Sequence, residues 1–166
     1  ALERQTATAE VLKVISGSVA DAKPVFEKIM DSCKRLITCD GGAVLVVDDQ
    51  QQVEVGAVHG DHDGAFARGY PRPIERTVLG LAFDSRRPLY YPAARTDEGV
   101  PDLVRRFAHK AGVDSLLVAP MFWEGQRIGS ISIARQAPSA FSPKDIDLLQ
   151  TFADQGVIAI QNARLF

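Results

Sequence analysis

Residues 116–134 constrain the fold of this chain more than any other stretch. Leu116–Phe122 reads as a strand, Glu124-Gly125 as a turn and Ile128–Ala134 as a second strand. In the second strand Ile131 and Ile133 alternate with Ser130 and Ser132, which puts isoleucines on one face and hydroxyls on the other. Two strands joined by so short a turn form an antiparallel hairpin. Pro120, inside the first strand, predicts an edge or a bulge, because proline has no N–H to give to a ladder. An earlier segment repeats the arrangement. After Gly41-Gly42, Ala43–Val47 is an apolar run and Asp48–Gln52 a polar turn; Val53, Val55 and Ala57 then alternate with Glu54 and Gly56.

Helical patterns separate and flank these hairpins. Residues 2–16 carry Leu2, Ala9, Leu12 and Ile15 near one stripe. Asp21 is placed to cap a second helix with Pro24 in its first turn; Ala22, Phe26, Ile29, Cys33 and Leu36 then recur at helical spacing. Residues 76–86 form a third helix, stopped at Pro88, and Leu89–Tyr91 a short strand. Pro101 opens a helix to about Ala111, with Gly112 as its C-terminal cap. Ser142-Pro143-Lys144-Asp145 is an N-terminal helix signature, and that helix runs towards Phe166. Residues 60–75, rich in Gly and Pro, show no clear period.

The order α, α, β, β, α, β, α, β, β, α predicts an α+β sandwich: a mostly antiparallel central sheet of about five or six strands with helices on its faces and the two end helices packed together. At 166 residues one domain is expected, divided into a linker helix over 1–20, a core over 21–141 and a closing helix over 142–166. Nineteen basic against 21 acidic residues give a net charge of −2, with no global attraction for nucleic acid or anionic lipid. No apolar run approaches the roughly 20 residues of a membrane span. Both ends lie inside helical patterns, so the chain reads as a cytoplasmic piece of a longer protein, with any membrane span or effector domain outside it.

With these elements in place, the sequence resembles the GAF-domain family of regulatory modules, GAF/PAS-like in architecture, found in phosphodiesterases, phytochromes and bacterial sensor kinases. The resemblance is carried by Pro24-Val25-Phe26 with Ile29; by Thr77-Val78-Leu79-Gly80-Leu81-Ala82 before Arg87-Pro88; by Ser115–Pro120; by Gly125 with Ile128-Gly129; and by Phe141-Ser142. Most specific is Leu148-Leu149-Gln150-Thr151-Phe152-Ala153-Asp154-Gln155, continuing through Ala159–Leu165. That closing helix is similar to those joining GAF domains to a downstream kinase or cyclase. The resemblance implies a bacterial sensory module, of the kind found in two-component histidine kinases, that controls a covalently linked effector.

It also implies a small-molecule site between the sheet and the middle segment, here roughly residues 59–112. Phe66, Tyr70, Phe83, Tyr90, Tyr91, Phe107 and His109 are the candidates there. Each has a plainer reading as core or surface. A homodimer through the end helices is expected from Leu2, Leu12, Leu149, Phe152, Gly156, Ile160 and Ala163, with Gly156 allowing close approach of a neighbouring helix. The ligand itself stays unknown.

Enzyme chemistry finds little support. Cys33 and Cys39 lie outside any CxxC pattern, and neither has a base beside it in sequence. His59 and His62 with Asp61 or Asp63 give loose metal-ligand spacing without a fourth ligand. Asp97-Glu98 lacks the Asn-Lys and Phe of cyclic-nucleotide-binding members, and no Cys follows Cys39 to hold a bilin near His109. A cysteine enzyme similar to methionine-sulfoxide reductases and a ligandless dimerisation spacer remain as alternatives to the sensor.

Overall fold

The computed structural model describes the backbone of residues 22–165 and the side chains as far as Ala163. The expected helix over 2–16, with Leu2 and Leu12, lies outside those residues, as does Asp21. The elements are α1 (Lys23–Leu36), β1 (Gly41–Val47), β2 (Gln52–His59), α2 (Ala65–Arg68), β3 (Arg72–Pro73), a 3-10 turn (Ile74–Arg76), α3 (Val78–Ser85), β4 (Leu89–Tyr91), α4 (Asp102–Ala111), β5 (Ser115–Trp123), β6 (Gln126–Arg135) and α5 (Pro143–Leu165).

The strands form one six-stranded sheet in the order β3-β2-β1-β6-β5-β4. Every neighbouring pair is antiparallel. The two hairpins are joined through β1 and β6, so the sheet centre is built from its first strand and its last. Glu124 and Gly125 both have positive φ, 50° and 78°, the twist that a tight hairpin turn requires. Pro120 meets both expectations. β4 covers only Leu116–Val118, which leaves Pro120 on a locally open edge, and the β5–β6 register shifts one residue on, between Met121 and Phe122.

Helices cover both faces. On one, α1 and α5 bury Phe26, Ile29, Leu149 and Ile160 against Val44, Leu117, Ile131 and Ile133. On the other, Leu79, Phe83, Val104 and Ala108 pack on Leu45, Leu116 and Val118. Residues 115–121 of β5 are buried without alternation because both faces are covered. α1 ends differently from its sequence pattern: Leu36 is exposed and Ile37, just past the helix, is buried in its place.

α5 starts in a reciprocal cap. The Asp145 amide donates to Ser142 Oγ and the Ser142 amide donates to Asp145 Oδ2, each at 3.0 Å. The stripe assigned to a dimer contact is spent inside the chain. Leu149, Phe152, Ile160 and Ala163 belong to the core between α1, α5 and the sheet. A Cβ on Gly156 would stand 2.8 Å from Met121 Sδ, so this glycine admits a β5 side chain, not a neighbouring helix. The expectation for Gly156 is corrected accordingly.

Residues 60–75 hold structure that the sequence pattern did not reveal. α2 is a four-residue helix, too short for periodicity to show, and side chains hold it. Asp61 Oδ1 and Oδ2 accept the Phe66 and Ala67 amides, each at 2.9 Å, and Asp63 Oδ1 accepts the Ala65 amide at 3.0 Å.

Candidate functional site

Above the α3/α4 face of the sheet lie two adjoining cavities, of about 260 and 510 Å³. The larger falls within the usual size of small-molecule sites. Its floor is strand: Leu45 of β1, Leu116 and Val118 of β5, Ser130 and Ser132 of β6. One wall is α4, through Leu103, Arg106, Phe107 and Lys110, spaced so that all four fall on one helical stripe. The 3-10 turn and the start of α3 close the far side with Arg76, Thr77 and Leu79. The smaller cavity opens between β1, β2 and α2 and is bordered by His59, Asp61 and Asp63.

Phe66, Tyr70 and Phe107 line both cavities and stand between them. The Phe66 ring lies 5.1 Å from Tyr70 and 6.3 Å from Phe107, the latter edge-on. Arg72 sits 5.5 Å above the Tyr70 ring. Burial raises the Tyr70 hydroxyl pKa, against the opposing pull of Arg72, so the phenol stays a neutral donor at neutral pH.

Of the seven aromatic and His candidates, three border these cavities. Phe83 is buried beside Phe122, with ring centroids 5.4 Å apart, and is core. Tyr90 points through the opposite face, where its hydroxyl accepts the Phe141 amide at 2.8 Å and ties β4 to the approach of α5. Tyr91, one residue on, returns to the cavity side of the sheet but packs beside the core and borders neither cavity. His109 is exposed on the outer side of α4. These four are corrected to structural or surface positions: neighbours on a strand face opposite ways, and His109 lies off the Leu103–Phe107–Lys110 stripe.

The basic residues of the cavity were missed. Arg72, Arg76, Arg106 and Lys110 line the larger cavity against one acid, Glu75. The signal was present in the four-residue spacing of Arg106 and Lys110 beside Phe107. Ser130 and Ser132 were legible as the polar face of β6, but not as a cavity floor.

The cysteines lie elsewhere. Cys33 is fully buried in the α1/α5 core, and burial drives its thiol far up from the ordinary range. Cys39 is half-buried and is also raised, first by burial. Neither borders the two cavities. Among the described residues no group of three His, Cys, Asp or Glu side chains is arranged to hold a metal. Asp61, considered with the two histidines, is instead turned to the α2 amides. No helix among the described residues is long and apolar enough to cross a membrane.

The architecture recurs in solved proteins. A GAF domain from an Acinetobacter phosphoenolpyruvate-protein phosphotransferase superposes with a TM-score of 0.76 at 18% identity, covering 98% of this chain and 92% of that one. A domain of a putative two-component sensor histidine kinase from Sinorhizobium meliloti gives 0.68 at 19% identity, over 86% and 93%. Free methionine-R-sulfoxide reductase from Neisseria meningitidis gives 0.71 at 14% identity, over 98% and 88%. At such identities the likeness is one of fold. No curated protein matches the sequence. A family model described as GAF domain matches residues 19–161, most of the chain, and the chain belongs to the GAF domain family.

Proposed function

We propose that this chain is a non-catalytic sensor module of a larger signalling protein. It takes a small molecule into the cavities beneath α4 and passes the change through the sheet to α5 and a covalently linked effector. The observation that carries this reading is the two-sided construction of β6. Ser130 and Ser132 floor the larger cavity, while Ile131 and Ile133, which alternate with them in sequence, pack in the core that seats α5. A ligand that shifts β6 therefore acts on the output helix through one strand, and a close-packed core transmits such shifts.

The kinase and phosphotransferase settings of the similar structures support an effector partner. An enzyme of the methionine-sulfoxide-reductase kind has less behind it, since Cys33 and Cys39 lie away from the cavities and both thiols are raised by burial. A dimer would use the outer side of the helical layer, where Ile158 is 38% exposed, with the residues around Leu149 and Ile160 already engaged in the core. Sedimentation at rising concentration reads that point directly.

The sensor reading is tested by thermal shift against a chemically diverse small-molecule collection. A ligand that binds only the folded form at a hundred times its Kd adds about 2.7 kcal/mol of stability. At least one compound is expected to raise Tm in the wild type and to lose that effect in a folded Ser132→Phe variant, whose ring replaces a hydroxyl that lines both cavities. A collection with no such compound refutes the sensor and leaves the ligandless spacer.

A further inference from the structure

Resting on the reading that α5 carries the output, we propose that residues 136–142, between β6 and α5, are a coupling strap. They tie the start of α5 to the loop over residues 92–101 that leads into α4, the cavity wall, and Arg135 holds the strap on α5. A change at α4 then reaches the first turn of α5 by a route separate from the two faces of β6.

The α5 end of the strap is built on one side chain. Arg135, the last residue of β6, has its side chain 16% exposed. Its Nε donates to the Thr38 carbonyl, just past α1, at 2.7 Å, and its Nη1 donates to the Ala140 carbonyl in the strap at 2.8 Å. Its Nη2 stands 3.8 Å from Asp145 Oδ2, the oxygen that caps the start of α5. The guanidinium also lies 4.0 Å from the centre of the Phe141 ring. Phe141 is buried, and its amide donates to the Tyr90 hydroxyl of β4. A planar fork with five N–H groups makes these contacts together, which the single ammonium of a lysine does not.

The other end is built on the start of β5. Ser115 is fully buried, and its Oγ lies 2.9 Å from three carbonyl oxygens: Pro92 in the loop, Ala137 and Ser139 in the strap. It also accepts the Ser139 amide at 2.6 Å. One hydroxyl proton is thus shared between loop and strap. Arg95 makes a second bridge: its amide donates to Asp114 Oδ1 at 2.8 Å and its Nη2 to the Gln136 carbonyl at 3.2 Å. The loop is tied in turn to α4, where Arg105 Nη2 donates to the Asp97 carbonyl at 2.6 Å. Bonds therefore run from α4 through the loop, Ser115 and Arg95 into the strap, and on through Arg135 to Asp145. The strap is neither helix nor strand, so its order depends on these partners. Two segments whose order rests on the same groups loosen together, and that shared order is a coupling.

The test is amide hydrogen exchange on the whole chain, with one variant at each end. Arg105→Gln removes the bond from α4 to Asp97, and Arg135→Gln removes the bonds that hold the strap on α5. Rates are taken relative to the slowest β5–β6 amides, which report global opening. Arg105→Gln should speed exchange at Phe141 and Ile146 by about threefold or more, within the range of about two- to thirtyfold for coupled sites. Arg135→Gln should do the same at Ala94 and Asp97, since coupling is reciprocal. Arg135→Lys keeps the charge without the fork and should show a smaller form of the same effect in a chain closer to the wild type. Arg95→Gln/Ser115→Ala removes both bridges, and in that background neither change should cross. Arg95→Gln alone, at a side chain 35% exposed, should weaken the crossing in a chain that keeps its fold. Exchange altered only beside each substitution, crossing in one direction alone, or an equal rise at every amide overturns the coupling. No ligand enters this experiment, so its outcome is separate from the thermal-shift test: a chain that passes here and binds no compound there keeps the strap and loses the sensor.

Discussion

Gly156→Ala should change the sign of its effect on stability when Met121 is shortened. Gly156 lies inside α5, where alanine is favoured over glycine by about 1 kcal/mol. Opposing this, the added methyl would meet Met121 Sδ at 2.8 Å, closer than packed atoms stand. Met121 is 1% exposed in the core, so its side chain has little room to give way. Overpacking of this kind costs about 1–3 kcal/mol, which leaves Gly156→Ala net destabilising by roughly 0–2 kcal/mol. Met121→Val removes the sulfur and terminal methyl at a cost of about 1–3 kcal/mol, between the Ile→Val and Met→Ala ranges. In that background the clash is gone and only helix propensity remains, so Gly156→Ala should stabilise by about 1 kcal/mol. The coupling between the two positions is read from a double-mutant cycle of urea unfolding followed by circular dichroism. Equal destabilisation in both backgrounds would refute the reasoning: it would mean that Gly156 makes room for something other than Met121, as a helix–helix contact requires.

Four further outcomes follow from the same geometry. Ser142→Ala removes the acceptor for the Asp145 amide and should cost about 1 kcal/mol in urea unfolding, while Ser142→Asp retains most of that stability. Asp61→Ala removes both carboxylate acceptors at the start of α2, and hydrogen exchange at Phe66 and Ala67 should quicken by about tenfold, the equivalent of one lost cap, with the β5–β6 amides unaffected. In the folded protein Cys39 should react with a thiol reagent well before Cys33, and both should react in denaturant. The unfolded chain releases the Cys33 proton from about pH 8.5, whereas the folded chain holds it to higher pH because burial raises the thiol. The folded state then binds more protons, so stability present below about pH 8.5 should decline as pH rises beyond it. Cys33→Ala should flatten that decline.

The β5–β6 hairpin was legible because its information is local: alternation at period two, and a turn whose residues adopt positive φ. The Ser142–Asp145 cap and the left-handed Gly112 at the end of α4 were legible for the same reason. α2 was not, since four residues make no period and its stability comes from the side chains of Asp61 and Asp63. The aromatic residues of the middle segment could be counted in sequence but not sorted. Tyr90 and Tyr91 are neighbours on a strand, and which of them faces α5 depends on the side from which α5 packs.

Sequence by itself therefore determined the two hairpins, the longer helices among the described residues, their antiparallel pairing and the family, because hydrophobic period, turn chemistry and caps act over a few residues. Only the tertiary structure decided the site. Arg72 comes from an edge strand, Arg106 and Lys110 from α4, and Ser130 from the central strand β6; they share a cavity because the sheet brings β6 beneath α4. The same packing gave Gly156 to Met121 and the α5 stripe to the core. Which face an apolar or polar residue turns to its partner is set by what covers that face, and the covering element lies far away along the chain.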